Sequence, residues 1–182
     1  MRPLAHIFTA SKAPWYQLFD ALPRFEAWPP GFDLPVLPDP AQEAPSPGVV
    51  RGSCLCGAVA FAVEGPPITA RYCHCGRCRK ARAAAHAANL MMPLAAVRFV
   101  RGAGRVREFE LPEARWFTQS FCAACGGKLP RLDPERALAI VPMGALDDDP
   151  GMRAACQIFT GSKAAWLEID PRIPAYEEAA PA

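Results

Sequence analysis

The chain lacks any strong imbalance of charge and any long apolar run. Its 20 Lys and Arg residues nearly match its 18 Asp and Glu residues, so the formal net charge is only +2. Non-specific nucleic-acid binding normally shows as a domain-wide basic excess, so we predict no nucleic-acid partner. No apolar stretch approaches the roughly 18 residues that a membrane span requires, so we also predict no membrane partner.

The first residues show no secretory leader. Met1, Arg2 and Pro3 lead into no apolar segment and no small-residue cleavage site. The eight cysteines would suggest a disulfide framework in an exported protein, but here disulfides are the weaker interpretation. We therefore expect a cytoplasmic protein whose thiols are reduced or bound to metal.

Three cysteines in the middle of the chain have the spacing of metal ligands. Cys73, Cys75 and Cys78 form a C-x-C-x-x-C array, which is short enough for all three thiols to reach one ion. A tetrahedral zinc held this way is one ligand short, and an open fourth position distinguishes a catalytic zinc from a structural one. The array therefore predicts a catalytic zinc site.

The same stretch is basic. Residues 71–82 contain five Arg and Lys residues and no acidic residue. Three thiolates on Zn²⁺ leave a local charge of −1, so five cations exceed what the metal site needs for balance. Arginine is suited to bidentate carboxylate binding. We expect Arg77, Arg79 and Lys80 to bind substrate carboxylates, with a solvated charged face as the alternative.

Two further cysteine pairs have metal-type spacings. Cys54 and Cys56 form one pair, and Cys122 and Cys125 form a C-x-x-C that is followed by two glycines, as in a zinc knuckle. Together they would close a four-ligand structural zinc site. The alternative is that they are ordinary buried cysteines. Cys156 stands alone in an apolar context and is interpreted as a core thiol.

The ends of the chain repeat one segment. Residues 4–28 match a C-terminal segment without gaps, with Ile7 on Ile158 and Trp15 on Trp166. One duplicated segment excludes a solenoid, which needs several stacked copies. We predict an N-terminal arm at 1–28 that packs on the main domain, a linker at 29–48 with seven of the 21 prolines, and a main domain at 49–182.

Short strands dominate the predicted secondary structure of that domain. Candidates lie at 57–64, 68–72, 97–100, 106–111, 115–121 and 137–141, each bounded by Gly, Pro or charge. Residues 79–88 are Ala-rich and favour a helical turn or two, or else continue as a strand into 89–92. Alternation would point His74 away from the metal, and His86 is more often structural. The class is mainly β.

Three motifs, in order and spacing, resemble the glutathione-dependent formaldehyde-activating enzyme family, which includes centromere protein V. They are GSCLCG at 52–57, CHCGRCRK at 73–80 and FCAACG at 121–126, and the resemblance covers residues 49–177. It implies a β-tent of short antiparallel sheets and two zinc ions per chain. The structural zinc would bind Cys54, Cys56, Cys122 and Cys125, and the catalytic zinc would bind Cys73, Cys75 and Cys78.

The resemblance also implies an activity. A glutathione-type thiol would complete the coordination of the catalytic zinc and react reversibly with a small aldehyde such as formaldehyde, so the expected enzyme is a zinc-dependent carbon-sulfur lyase. The alternative is a non-catalytic, zinc-stabilised binding module. The C-terminal motif of the family is matched better by the arm, which has His6 and Pro14 where the C-terminal copy has Gln157 and Ala165. The arm could also mediate a homodimer.

Overall fold

The computed structural model describes residues 2–32, 34–36, 46–114 and 116–181. Part of the predicted linker, at residues 33 and 37–45, lies outside the described residues. The strands of the described residues are β1 Val49–Ser53, β2 Ala60–Glu64, β3 Thr69–Cys73, β4 Ala87–Pro93, β5 Val97–Arg101, β6 Val106–Glu110, β7 Thr118–Cys122, β8 Lys128–Leu129, β9 Arg131–Asp133, β10 Leu138–Pro142 and β11 Cys156–Ile158. The α-helix α1 spans Gly76–Arg82, and 3-10 turns occupy Thr9–Ser11, Leu94–Ala96, Ala103–Arg105, Pro134–Arg136, Met143–Ala145 and Thr160–Ser162.

The strands form three small sheets, which confirms the predicted mainly β class. Their orders are β1-β2-β5, β11-β3-β4-β10-β9 and β6-β7-β8. Neighbouring strands are antiparallel, except that β11 pairs with β3 in parallel. A parallel pair needs a long connection, and here β11 returns from near the C-terminus to the strand that carries the central cysteines.

One hydrophobic core joins the three sheets and the arm. It contains Phe61 from the first sheet, Leu90 and Val141 from the second, Leu129 from the third, and Trp15 from the arm. Phe61, Leu90, Val141 and Leu129 are no more than 1% exposed. Burying each such side chain stabilises the fold by roughly 1.5–3 kcal/mol. The sheets and the arm are therefore held by shared apolar burial.

Helix α1 begins earlier than predicted and ends at a left-handed residue. Cys75 is its N-cap, and its side chain accepts a hydrogen bond from the Cys78 amide. Ala83 adopts a left-handed conformation, with φ of 48°, and ends the helix. The chain then enters β4 at Ala87. Residues 79–82 are therefore helical, and the alternative prediction of a strand continuing into 89–92 holds from Ala87 onward.

The two copies of the repeated segment have the same backbone geometry. Phe8 and Phe159 are both left-handed, with φ of 56° in each and ψ of 39° and 38°. A 3-10 turn follows in both copies. Each copy also contains an isolated parallel bridge, at His6 in the first copy and at Gln157 in the second. The repeat in sequence is therefore a repeat in structure.

The copies are buried through different residues. Trp15 of the first copy is 8% exposed and belongs to the core, whereas Trp166 of the second copy is 42% exposed. The equivalent isoleucines show the opposite burial: Ile158 of the second copy, in β11, is 7% exposed, and Ile7 of the first copy is 46% exposed. The arm thus packs on the domain through its tryptophan, as the prediction of a packed arm requires.

Candidate functional site

The central cysteines come together where β3 meets α1. Cys73 is the last residue of β3, Cys75 caps α1, and Cys78 lies in its first turn. The Sγ atoms of Cys73 and Cys75 are 3.7 Å apart, and the three Sγ atoms all lie within 4.8 Å of one another. In the described part of the chain, no fourth histidine, cysteine or acidic residue joins this group.

These sulfur positions fit a zinc ion. Thiolates at about 2.3 Å from zinc in tetrahedral geometry are about 3.8 Å apart, close to the separation of Cys73 and Cys75. A hydrogen bond from the Cys78 thiol lowers the pKa of Cys73 to about 6, and the same contact raises the pKa of Cys78. The cluster already favours a thiolate at Cys73, the form that binds a metal.

An apolar shell surrounds the three-cysteine group. Ala87 of β4 and Ile158 of β11 are buried against Cys73. Phe159 and Tyr176, both from the second copy of the repeat, pack on the same cluster. The parallel pairing of β11 with β3 places them there, because Ile158 lies opposite Cys73 in the sheet. The second copy therefore supplies part of the wall of this site.

Four further cysteines form a separate, closed group, and Cys156 belongs to neither group. Cys54, Cys56, Cys122 and Cys125 place their sulfur atoms within 4.8 Å of one another. The distances are 3.6 Å between Cys54 and Cys56 and 4.0 Å between Cys56 and Cys122. This four-thiol set also fits a tetrahedral zinc, and it joins parts of the chain that are 66 residues apart.

Backbone amides point at the sulfurs of this four-cysteine group. The amide of Val59 donates to Cys54 at 3.3 Å, and the amide of Gly127 donates to Cys125 at 3.4 Å. The Gly127 amide lowers the pKa of Cys125 to about 6. A side chain at Gly127 would approach Leu55 and the Cys125 sulfur within 3.2 Å, so glycine is favoured in this turn.

The three predicted substrate cations all lie on α1 but have different surroundings. Arg77 is exposed, with its guanidinium 5.9 Å from the centre of the Phe117 ring. Arg79 donates to the backbone carbonyls of His74 and Ser162, both at 3.3 Å. Lys80 is exposed. Arg79 therefore ties α1 to β3 and to the second copy, while Arg77 and Lys80 face solvent.

Sequence reasoning did not single out Arg82, the last cation of the basic stretch. It lines a large cleft of about 1300 Å³ together with His86, Lys128 and the arm residue Trp15. Its guanidinium donates to Gln119 at 2.8 Å and to Asn89 at 3.3 Å. Burial lowers its pKa. The signal available in the sequence was the position of Arg82 in the basic stretch 71–82, which contains the three central cysteines.

His74 is buried and His86 is half-buried, and both lie outside the cysteine groups. His74 is 1% exposed, and its Nε2 lies 3.3 Å from the Gln157 side-chain oxygen. This agrees with the predicted alternation along the strand. Burial lowers the pKa of His86 to about 4, so its imidazole is neutral near pH 7. Neither residue belongs to the cysteine groups.

The chain is similar to known proteins in sequence and in structure. Residues 49–162 match the model of the glutathione-dependent formaldehyde-activating enzyme family. A Halomonas elongata protein, provisionally named as such an enzyme, is 32% identical over 132 residues, which are 68% of this chain and 83% of that protein. A solved Rhodobacter sphaeroides structure, 26% identical, aligns with a TM-score of 0.45 over 57% of this chain and 98% of its own.

Within the described residues, no helix is both long and apolar enough to cross a membrane.

The family model covers both cysteine groups, and the related protein is aligned over more than two thirds of this chain. The chain belongs to the glutathione-dependent formaldehyde-activating enzyme family.

Proposed function

We propose that this protein is a zinc-dependent carbon-sulfur lyase and synthase that acts on glutathione-type thiol adducts of small aldehydes. The observation that carries the proposal is the contrast between the two cysteine groups. Cys54, Cys56, Cys122 and Cys125 offer four thiols, which would saturate a zinc ion. Cys73, Cys75 and Cys78 offer three, so a zinc ion held there keeps a position for a substrate thiol.

A zinc ion bound by Cys73, Cys75 and Cys78 would supply Lewis acidity and favour the thiolate of the substrate near neutral pH. In the synthetic direction the substrate sulfur forms a bond to the aldehyde carbon, and the proton lost by the thiol ends on the aldehyde oxygen. The reverse reaction breaks that carbon-sulfur bond and returns the proton. Atoms and electrons balance without a redox cofactor.

The protein residues around the cysteines would bind and orient the substrate. Arg77 and Lys80 are exposed on the helix that begins at the site, where they can meet the carboxylates of a glutathione-like thiol. Arg79 would position the helix through its bonds to His74 and Ser162, and so contribute to the same binding surface. The apolar wall of Ile158 would limit water near the reacting atoms.

Replacing one cysteine in each group tests the two zinc roles. Cys75→Ser should leave a folded protein that binds one zinc ion and has no turnover, because the three ligands are local in sequence. Cys122→Ser should give a misfolded or insoluble protein, because that zinc closes a long loop and contributes on the order of 10 kcal/mol of binding energy to folding. Zinc content, circular dichroism and turnover of formaldehyde with glutathione measure these outcomes.

The opposite pattern would show that the roles of the two groups are reversed. If Cys75→Ser unfolds the chain while Cys122→Ser stays folded and active, the assignment is wrong. A wild-type protein with two zinc ions that binds no thiol by calorimetry would instead indicate the binding module, in which both metals are structural.

The exposed cations provide a second test. The double variant Arg77→Gln, Lys80→Gln should raise KM for the anionic thiol at least tenfold with little change in melting temperature, because exposed charges contribute little to stability. Arg98→Gln is a control, since Arg98 is an exposed cation outside α1 whose ion-pair partner is Glu64 on β2. If the wild type, the double variant and Arg98→Gln have equal KM values, Arg77 and Lys80 do not bind substrate and instead form a solvated charged face.

A further inference from the structure

The large cleft of about 1300 Å³ has a positively charged lining. One acidic side chain, that of Asp147, lines it among the described residues. The cations of the lining are Arg51, Arg82, Arg98, Arg101 and Lys128. A cleft lined mainly by one sign of charge concentrates ligands of the opposite sign. The lining therefore favours an anion.

Two of these cations have no acidic partner. Arg51 and Arg98 are held in ion pairs of 2.7 and 2.8 Å with carboxylates, and Arg101 donates two hydrogen bonds to a backbone carbonyl. In the part of the chain that the structure describes, Arg82 and Lys128 contact no carboxylate. These two side chains are therefore the ones available to a ligand anion.

The third sheet brings Arg82 and Lys128 together. Arg82 donates to the side-chain oxygen of Gln119 in β7 at 2.8 Å. Lys128 of β8 lies opposite Phe121 of β7, and its ammonium is 5.5 Å from the centre of the Phe121 ring. Gln119 and Phe121 are two residues apart on one strand, so their side chains share a face. Burial and the nearby charge of Arg82 lower the pKa of Lys128, as expected for two cations that are close together.

The cysteine groups do not neutralise both charges. Cys122 is the neighbour of Phe121 on β7, so its side chain points to the opposite face of the sheet. Cys78 is nearer, because Arg82 follows it by four residues on α1, which is about one helical turn. A zinc ion with three thiolates would carry a charge of −1, whereas Arg82 and Lys128 together carry +2. One positive charge is left for a ligand.

A second contact places the Arg82 guanidinium beside the three-cysteine site. Its Nη2 donates to the side-chain oxygen of Asn89 in β4 at 3.3 Å. Asn89 and Ala87 are two residues apart on β4, so they share a face of the sheet. Ala87 is buried against Cys73 and pairs with it between the strands. The cleft therefore approaches the three-cysteine site at Arg82.

The free groups of the two cations are all hydrogen-bond donors. In Arg82, Nη1 and Nη2 each use one hydrogen in the bonds to Gln119 and Asn89 and have a second one, while Nε is buried and takes no part. The Lys128 ammonium has three hydrogens and no hydrogen-bond acceptor among the described residues. The two oxygens of a carboxylate can accept from a guanidinium and an ammonium at once.

We propose that Arg82 and Lys128 form a binding subsite for a carboxylate of the thiol substrate, at the end of the cleft next to the three-cysteine site. The inference rests on the proposed function and extends it, because a glutathione-like thiol carries two carboxylates. The exposed Arg77 and Lys80 can meet one of them, and the partly buried pair binds the other. Solvent and salt screen a partly buried charge less, so this pair discriminates more strongly against a neutral group.

Titration calorimetry of the zinc-loaded, full-length protein tests the subsite without turnover. S-methylglutathione has both carboxylates but no free thiol, and its diethyl ester has neither carboxylate. Arg82→Gln and Lys128→Gln should each weaken the binding of S-methylglutathione at least tenfold and leave the binding of the ester unchanged. Arg105→Gln is the control, since Arg105 is an exposed cation outside the cleft lining, and it should change neither affinity.

Turnover with formaldehyde gives a second readout. In both variants KM for glutathione should rise at least tenfold, whereas KM for 2-mercaptoethanol, a thiol without a carboxylate, should not change. Melting curves and zinc content are measured before either experiment. If Arg82→Gln does not fold, Lys128→Gln decides the result.

The proposal is overturned if the folded variants bind S-methylglutathione as the wild type does, or if the wild type binds the acid and the ester equally. It is also overturned if the variants lose zinc together with affinity, since the cations would then balance the charge of the metal site. A wild type without turnover would contradict the proposed activity and leave the calorimetric result in force. Turnover with an unchanged KM for glutathione in both variants would contradict the subsite and leave the activity standing.

Discussion

At the residue scale, the geometry of single positions explains why the three central cysteines meet. Cys75 acts at once as the N-cap of α1 and as a member of the three-cysteine group. Cys73 can join it only because β3 ends there, and Cys78 because the first helical turn brings it back. The spacing of the array thus encodes a strand end, a cap and a turn, which bring three thiols together.

Gly102 is a position where the backbone conformation and a close backbone contact both require glycine. Gly102 has φ of 69°, and a side-chain carbon there would clash with the carbonyl oxygen of Ala58. Ala58 lies between Cys56 of the four-cysteine group and strand β2. The turn after β5 therefore packs backbone against backbone beside the four-cysteine site, which only glycine permits.

Gly102→Ala is predicted to destabilise the protein by about 2–4 kcal/mol, from left-handed strain and overpacking together. Gly104→Ala is the matched control in the same turn, since Gly104 has open space around its α-carbon. It should be neutral or stabilising by up to about 1 kcal/mol. Urea unfolding of both variants measures the difference. Similar midpoints for the two would contradict the close contact with Ala58.

At the element scale, periodic apolar residues predicted the longer strands well. Each of the six strand candidates overlaps a strand of the structure, because those segments carry β-branched or aromatic residues between clear breaks. The strands without a prediction are β1, β8, β9 and β11, which have two to five residues. β8, β9 and β11 have only two or three residues, which are too few to show a period. β1 is as long as the predicted strands, but its sequence VVRGS shows no alternation of apolar and polar residues, so its partner in the sheet defines it.

The helix shows the competition between composition and capping. Alanine content favoured residues 79–88, but the helix starts at Gly76 because Cys75 caps it. Ala83 ends it, and Ala87 is taken into β4 by pairing with Cys73. A local cap at the start of the helix and sheet pairing after its end outweighed the alanine propensity. The helix position matters for function because it fixes where Arg77 and Lys80 project.

The candidate site could be located from the sequence, but its walls could not. Thiol spacing alone identified both cysteine groups, since their spacings are local or fall in recognisable pairs. The contribution of Ile158 depends on a parallel pairing between segments 85 residues apart, Ile158 with Cys73 (158 − 73). Arg82 and His86 reach the large cleft only through the packing of β4 and the arm. No local pattern reports such contacts.

At the scale of the whole molecule, the duplicated segment has two different uses. The second copy extends the central sheet and covers the three-cysteine site through Ile158 and Phe159. The first copy has the same backbone but reaches the core through Trp15, and it forms a wall of two cavities. The difference lies in what each copy contacts, since their internal hydrogen bonds correspond.

Equivalent tryptophans in the two copies provide the test of this division. Trp15→Ala should destabilise the protein by about 3–5 kcal/mol, because Trp15 is 8% exposed and its removal leaves a cavity in the shared core. Trp166→Ala makes the same change in the second copy, where the side chain is 42% exposed, and should cost less than about 1 kcal/mol. Urea unfolding followed by circular dichroism measures both values. If the two variants lose equal stability, the arm does not rest on the core through Trp15, and the asymmetric use of the two copies is wrong.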